Sequence, residues 1–160
     1  MRCPECERSL KRVRRDYPYT ESGLENVILV RAPVYVCREH GVQAVGLRNV
    51  PAIHTAIARK LLELRRPLRG PEVRFLRKHH EWSQPELARR LGVTEVTVSR
   101  WETEATPIGP ANQQRLYLLF TDPEKFSAIE LSKAPRRKAV APLRIAIQDH
   151  SRAAGARSAA

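Results

Sequence analysis

The sequence predicts an α+β chain in which a small β-rich part precedes an all-α part. Three observations carry this. Glu25–Arg31 and Val34–Cys37 are short runs rich in β-branched residues, bounded by Ser22-Gly23 and by Pro33. From Pro51 the apolar residues Ile53, Ile57, Leu61, Leu62 and Leu64 recur near helical spacing, and residues 71–120 read as helices joined by short turns. Two Cys-x-x-ligand pairs bracket the β-rich part, as a small domain that needs a staple would require.

Taken in order, Tyr17 and Tyr19 alternate with Pro18 and Thr20 and suggest a further edge strand. The helix opened by Pro51 should stop before Pro67, because the residue before a proline disfavours helical backbone. Leu68-Arg69-Gly70-Pro71 reads as a boundary turn. Beyond Asp122 the periodicity fades, and Lys133 to Ala160 is rich in Ala, Arg, Ser and Pro. It reads as mostly disordered, although Leu143–Ile147 could pair as a strand. The expected division is a metal-binding domain at 1–49, a connecting helix at 50–67, a helical domain at 68–126 and a basic, mostly disordered tail at 127–160.

The 160 residues hold 29 Lys and Arg against 17 Asp and Glu, a formal net charge of +12. Such an excess points toward polyanions. Residues 1–70 carry 14 basic and 7 acidic side chains, residues 71–120 carry 7 and 6, and residues 121–160 carry 8 and 4. No apolar run approaches the ~20 residues of a membrane span, so no membrane partner is expected. Met1-Arg2-Cys3 does not open a secretory segment, so a cytoplasmic location is expected, with thiols kept reduced. No Ser-His-Asp set, paired carboxylates or Gly-rich phosphate loop stands out, and no enzymatic activity is expected.

Cys3-Pro4-Glu5-Cys6 and Cys37-Arg38-Glu39-His40 each present two ligands from one tight turn. Together Cys3, Cys6, Cys37 and His40 make a Cys3His set for one Zn²⁺ per chain. Four protein ligands leave no open position, which marks a structural site. His54 is the alternative fourth ligand if the following helix packs back. His79-His80 end a basic helix starting near Arg74, and a solvated helix end is the expectation there. Trp82 and Trp101 are expected in the core.

Ser83-Gln84-Pro85-Glu86 is a capping box that opens a helix with Leu87, Ala88 and Leu91 inward. Gly92 sits where a left-handed turn residue is wanted. Thr94 can cap a second helix with Val98 and Trp101 inward. Ala88 must be small where the helices cross, and Val98 fills the angle between them. The second helix is then held out for the major groove of DNA. The DNA-binding candidates are Gln84, Glu95, Val96, Thr97, Ser99 and Arg100. Arg100 can pair bidentately with a guanine edge, and Val96 and Thr97 can meet a thymine methyl. Gln84 is placed for a phosphate. Glu95 works against phosphates unless it accepts from a cytosine amine.

Gln84–Ala88, Leu91–Val93 and Thr97–Glu102 closely resemble the Cro/repressor (XRE) helix-turn-helix family. CPEC, Ser22-Gly23-Leu24, Asn26-Val27 and CREHG resemble the YgiT/MqsA-type zinc-finger proteins, many of them antitoxins. The resemblances span about residues 1–120. They imply a zinc domain followed by a dimerising, lambda-repressor-like five-helix domain that binds palindromic promoter sites in double-stranded DNA. The expected function is a homodimeric, sequence-specific transcriptional regulator acting as a repressor. The alternative is an antitoxin that holds a toxin protein through the zinc domain and autoregulates through the helix-turn-helix. The basic N-terminal part would repel the commonly basic RNA-cleaving toxins. Two positions depart from the resembled pattern: His40 stands where Cys is usual, and Val96 where a base-reading Asn can sit.

Overall fold

The computed structural model describes residues 1–121 and 142–146. Strand β1 (Lys11–Pro18) pairs antiparallel with β2 (Val27–Cys37), which pairs antiparallel with β3 (Gly41–Val45). A 3-10 turn, Thr20–Ser22, links β1 to β2 and ends at Gly23, whose φ is 78°. Five helices follow: α1 (Val50–Glu63), α2 (Gly70–His79), α3 (Gln84–Leu91), α4 (Glu95–Glu102) and α5 (Pro110–Phe120). Strand β4 (Leu143–Ala146) then returns to the sheet and runs parallel to Val27–Val30 of β2. The α+β architecture, β part first, is the one the sequence predicts.

The two β runs separated by Pro33 are one strand. In a strand the amide and carbonyl of one residue point to the same side. The Pro33 carbonyl accepts from Gly46 N at 2.8 Å, so its missing N–H also faces the β3 side, beyond the last paired residue, Val45. No ladder bond is lost there, and the strand runs through. The strand does bend at Arg31, where φ is 54° and the register with β1 slips past Asp16. Asp16 caps this bulge by accepting from Arg31 N at 3.0 Å.

The strand that the sequence allowed at Leu143–Ile147 forms over Leu143–Ala146. Leu143 and Ile145 are buried, and Arg144 pairs with Asp16. Alternation of buried and exposed residues over Leu143-Arg144-Ile145-Ala146 suits a strand with one buried face. This segment therefore completes the N-terminal sheet; Ile147 and the rest of the expected disordered tail lie outside the described residues.

Asn49 caps α1 in left-handed conformation, its side chain accepting from Ala52 N at 3.2 Å. Ile53, Ile57, Ala58 and Leu61 face inward. The helix stops at Glu63, short of the expected end, and Leu64 is exposed. The connection onward is pinned by polar clamps. Gln113 of α5 grips the Leu68 backbone, accepting from its N–H at 2.9 Å and donating to its carbonyl at 2.8 Å. Arg66 forks onto Glu72, which is 2% exposed and also accepts from Arg69 N. Gly70 lies so close to α4 that a Cβ would stand 2.1 Å from the Trp101 carbonyl.

One apolar core joins the sheet to the helices, from Leu24, Val27 and Leu29 through Ile57 and Leu61 to Leu76, Leu87, Val98 and Leu116. Trp101 belongs to it at 3% exposed, whereas Trp82 is only partly buried against it. The end of α2 is solvent-facing as expected, with His80 exposed and His79 half-buried, but both rings are stacked. His79 stacks on Phe75, and His80 stacks on both Trp82 and Phe120 at 4.7 and 5.5 Å between centroids. Arg90 lies 4.5 Å over the Trp82 ring.

Candidate metal centre and nucleic-acid interface

The first cysteine hook turns on Glu7, at φ 57°, with Glu7 N donating to the Cys3 carbonyl and Cys3 N to the Arg8 carbonyl. The second is the β2–β3 hairpin loop, closed by Gly41 at φ 70°. Both hooks converge, and Arg8 of one pairs with Glu39 of the other. The donor atoms of Cys3, Cys6, Cys37 and His40 all lie within 4.8 Å of one another. Cys3 Sγ–His40 Nδ1, Cys37 Sγ–His40 Nδ1 and Cys6 Sγ–Cys37 Sγ each span 3.6 Å. A tetrahedral zinc with Zn–S of about 2.3 Å and Zn–N of about 2.0–2.1 Å needs edges of about 3.5–3.8 Å. Three of the six edges already have this length, and the donor set fits a zinc ion.

Local electrostatics favour the ligating forms unevenly. The backbone N–H groups of His40 and Glu39 stabilise the Cys37 thiolate and bring its pKa down to about 6. At Cys6 the Arg8 backbone N–H also favours the thiolate, but desolvation and the neighbouring thiols of Cys37 and Cys3 outweigh it and push the pKa up. Hydrogen bonding to Cys3 and Cys37 raises the pKa of His40. Metal binding at this site releases protons, since a metal requires thiolates and neutral imidazole. Glu5, inside the first hook, faces the other ring nitrogen of His40 at 3.8 Å from Nε2. A carboxylate that closes to hydrogen-bond distance there orients a ligating histidine. The x positions of the hook concealed this residue, because their spacing marks only the ligands.

His54 does not reach the centre. It lies on α1, with Nε2 3.0 Å from the Tyr19 hydroxyl and its ring edge-on to Phe75. The α1 helix packs its His54 face toward α2 rather than toward the hooks, which leaves His40 as the fourth donor.

The helical pair is built as its local signals require. Ser83 accepts from Glu86 N, and Glu86 accepts from Ser83 N at 2.7 Å. Gly92, at φ 66°, closes α3, and Val93 N donates to the Ala88 carbonyl at 3.0 Å. Thr94 then caps α4 by accepting from Thr97 N at 3.2 Å. Ala88 and Val98 are buried where α3 crosses α4.

The outward face of α4 carries Glu95, Val96 and Arg100, all exposed, with Thr97 and Ser99 half-buried beside them. Val96 is 61% exposed. The Thr97 hydroxyl is 2.8 Å from that of Thr94. Gln84 is half-buried, and its Nε2 donates to Glu102 Oε2 at 2.8 Å. The sequence reading did not find Glu102 and Arg77, which form a buried pair beneath this surface. Their only sequence signal was two charges on otherwise inward helix faces.

No helix among the described residues is long and apolar enough to cross a membrane. A comparison with curated proteins finds no match to the chain. Residues 73–116, from within α2 to within α5, match the helix-turn-helix family model.

Proposed function

We propose that the chain is a sequence-specific, double-stranded-DNA-binding transcriptional regulator that represses by occupying an operator. The observation that carries this reading is the outward face of α4, the second helix of the α3–α4 pair within the matched region. It holds an exposed aliphatic side chain and an exposed guanidinium on a helix whose opposite face is locked into the core. In this reading α4 enters the major groove, with Arg100 reading a guanine and Val96 and Thr97 meeting a thymine methyl. Ser99 borders the same face. Glu95 stabilises the N-terminus of α4 through the helix dipole and selects against sites that bring a phosphate to it. Gln84, its amide oriented by Glu102, donates its second N–H to a phosphate.

The zinc is structural and holds residues 1–49 as a folded unit, with residues 50–67 carrying the chain into the helical domain at 68–126. The protein acts as a homodimer on a palindromic operator, because two reading helices one helical turn apart multiply the discrimination of one. Toxin capture is the less favoured role. The exposed side chains of β1 include Lys11, Arg12, Arg14 and Arg15, a surface that repels a basic toxin. The test is selection of bound duplexes from random DNA by the full chain, followed by footprinting. A recovered palindrome supports the reading, and recovery of unrelated sequences contradicts it.

A further inference from the structure

A cleft of about 470 Å³ lies between the 3-10 turn after β1, the middle of α1 and the outward face of α2. Its size is within the range of small-molecule sites. Arg74 and Lys78, one helical turn apart on α2, are exposed and line it. Neither forms an ion pair with another described residue, and like charges at this spacing repel when unneutralised. Glu21 is the one carboxylate in the lining, and it already accepts from the Tyr17 hydroxyl at 2.7 Å. The cleft therefore holds an excess of positive charge that its own acid does not balance.

The cleft also has an aromatic wall. Phe75 is buried; it meets His54 edge-on at 5.5 Å between centroids and stacks parallel to His79, and the half-buried rings of His54 and His79 line the cleft with it. The Tyr19 hydroxyl lies 3.0 Å from His54 Nε2 and holds this imidazole in the lining. Two cations, a polar imidazole and flat rings are the recognition chemistry of a flat molecule with a negative group.

We propose that this cleft binds a small planar aromatic anion, either a nucleoside monophosphate or an aromatic carboxylate. The ligand would bridge the β part and the first helix of the helix-turn-helix domain. The proposal does not depend on which DNA sequence the protein reads.

The experiment is calorimetric titration of the full-length, zinc-loaded chain with AMP and with 2-naphthoate, each beside its uncharged counterpart, adenosine and 2-naphthamide. At least one anion should bind with one site per chain, and its uncharged counterpart at least tenfold more weakly. Whichever of AMP and 2-naphthoate binds identifies the anionic group. Arg74→Gln combined with Lys78→Gln should weaken that binding at least tenfold, with zinc content and Tm unchanged. The proposal is overturned if neither anion binds at millimolar concentration, if the uncharged compounds bind equally, or if the double variant binds as the parent does. Loss of DNA affinity in that variant without any ligand binding would assign the two cations to the DNA surface instead.

Discussion

Arg77 on α2 and Glu102 on α4 form a buried two-pronged ion pair, with Nε–Oε1 at 2.6 Å and Nη2–Oε2 at 2.9 Å. Every arm of the pair is used. Arg77 also donates to the Trp82 carbonyl at 2.8 Å, and Glu102 also accepts from Gln84. One contact set thus ties α2, the start of α3 and the end of α4, and it fixes the angle at which α4 is presented.

Removing one partner should cost far more than an exposed pair would. Arg77→Ala leaves the Glu102 carboxylate buried and unpaired, for which about 3–5 kcal/mol of stability is the expected loss. By contrast, Arg69→Ala, which breaks the exposed pair with Glu104, should cost under ~1 kcal/mol. Urea unfolding of the two variants, with a common slope, measures both. Equal small losses would show that the buried pair is not fixed in solution.

The metal should be inseparable from the N-terminal fold. The purified chain should carry about one zinc, and chelation should unfold the sheet at residues 1–48. Cys37→Ser should do the same, whereas His40→Cys keeps four donors and should keep the metal. Zinc analysis and far-UV circular dichroism before and after chelation provide the check. Retention of an unchanged sheet by metal-free protein would remove the structural role.

Strand β4 should be needed for the sheet even though it lies far along the chain. Leu143→Ala and Ile145→Ala each delete a buried aliphatic group and should each cost about 2–4 kcal/mol. Deleting residues 133–160 should therefore lower the stability of the N-terminal part as well as removing basic charge. Amide hydrogen exchange at Val27–Val30 reads this directly. Unchanged protection there in the truncated chain would mean that β4 does not pair with β2.

Acid should weaken the aromatic cluster at the end of α2. Desolvation of His80, with His79 and Arg90 nearby, holds its pKa below the ordinary value. A depressed histidine stays neutral in the folded state while the unfolded chain takes up a proton. Stability from this group is thus complete above about pH 6.5 and declines as pH falls from there toward the folded pKa. His80→Phe keeps the stacking on Trp82 and Phe120 and removes the titration. Its Tm should depend less on pH between about 5 and 6.5 than that of the parent. Identical profiles would show that folding does not depress the His80 pKa.

The features legible in the sequence were those encoded over a few residues. The capping box at Ser83 and Glu86, the turn at Gly92 and the two Cys-x-x-ligand hooks each carry their geometry within one turn of chain. The relationships that were hidden join distant residues. Nothing near Gln113 announces that it clamps the backbone of Leu68, and nothing near Leu143 announces a parallel partner at Val27. Pro33 misled because proline removes one amide bond from a strand, and its sequence does not show that the amide would have had no partner. Gly70 reads as a turn residue, but its lack of a side chain is required by the Trp101 carbonyl of a helix about thirty residues later.

The central claim is that α4 reads DNA through Arg100. Its competing role is an i, i+4 pair with Glu104, yet Glu104 is engaged by Arg69, with Nε–Oε1 and Nη2–Oε2 both at 3.2 Å. The direct measurement is a titration of the parent and of Arg100→Ala against the selected operator and a scrambled duplex, at one fixed salt concentration. A lost bidentate guanine contact should cost the operator about 1–3 kcal/mol and leave the scrambled duplex nearly unaffected. An unchanged ratio of the two affinities would contradict the assignment of Arg100 as a reader and of α4 to the major groove.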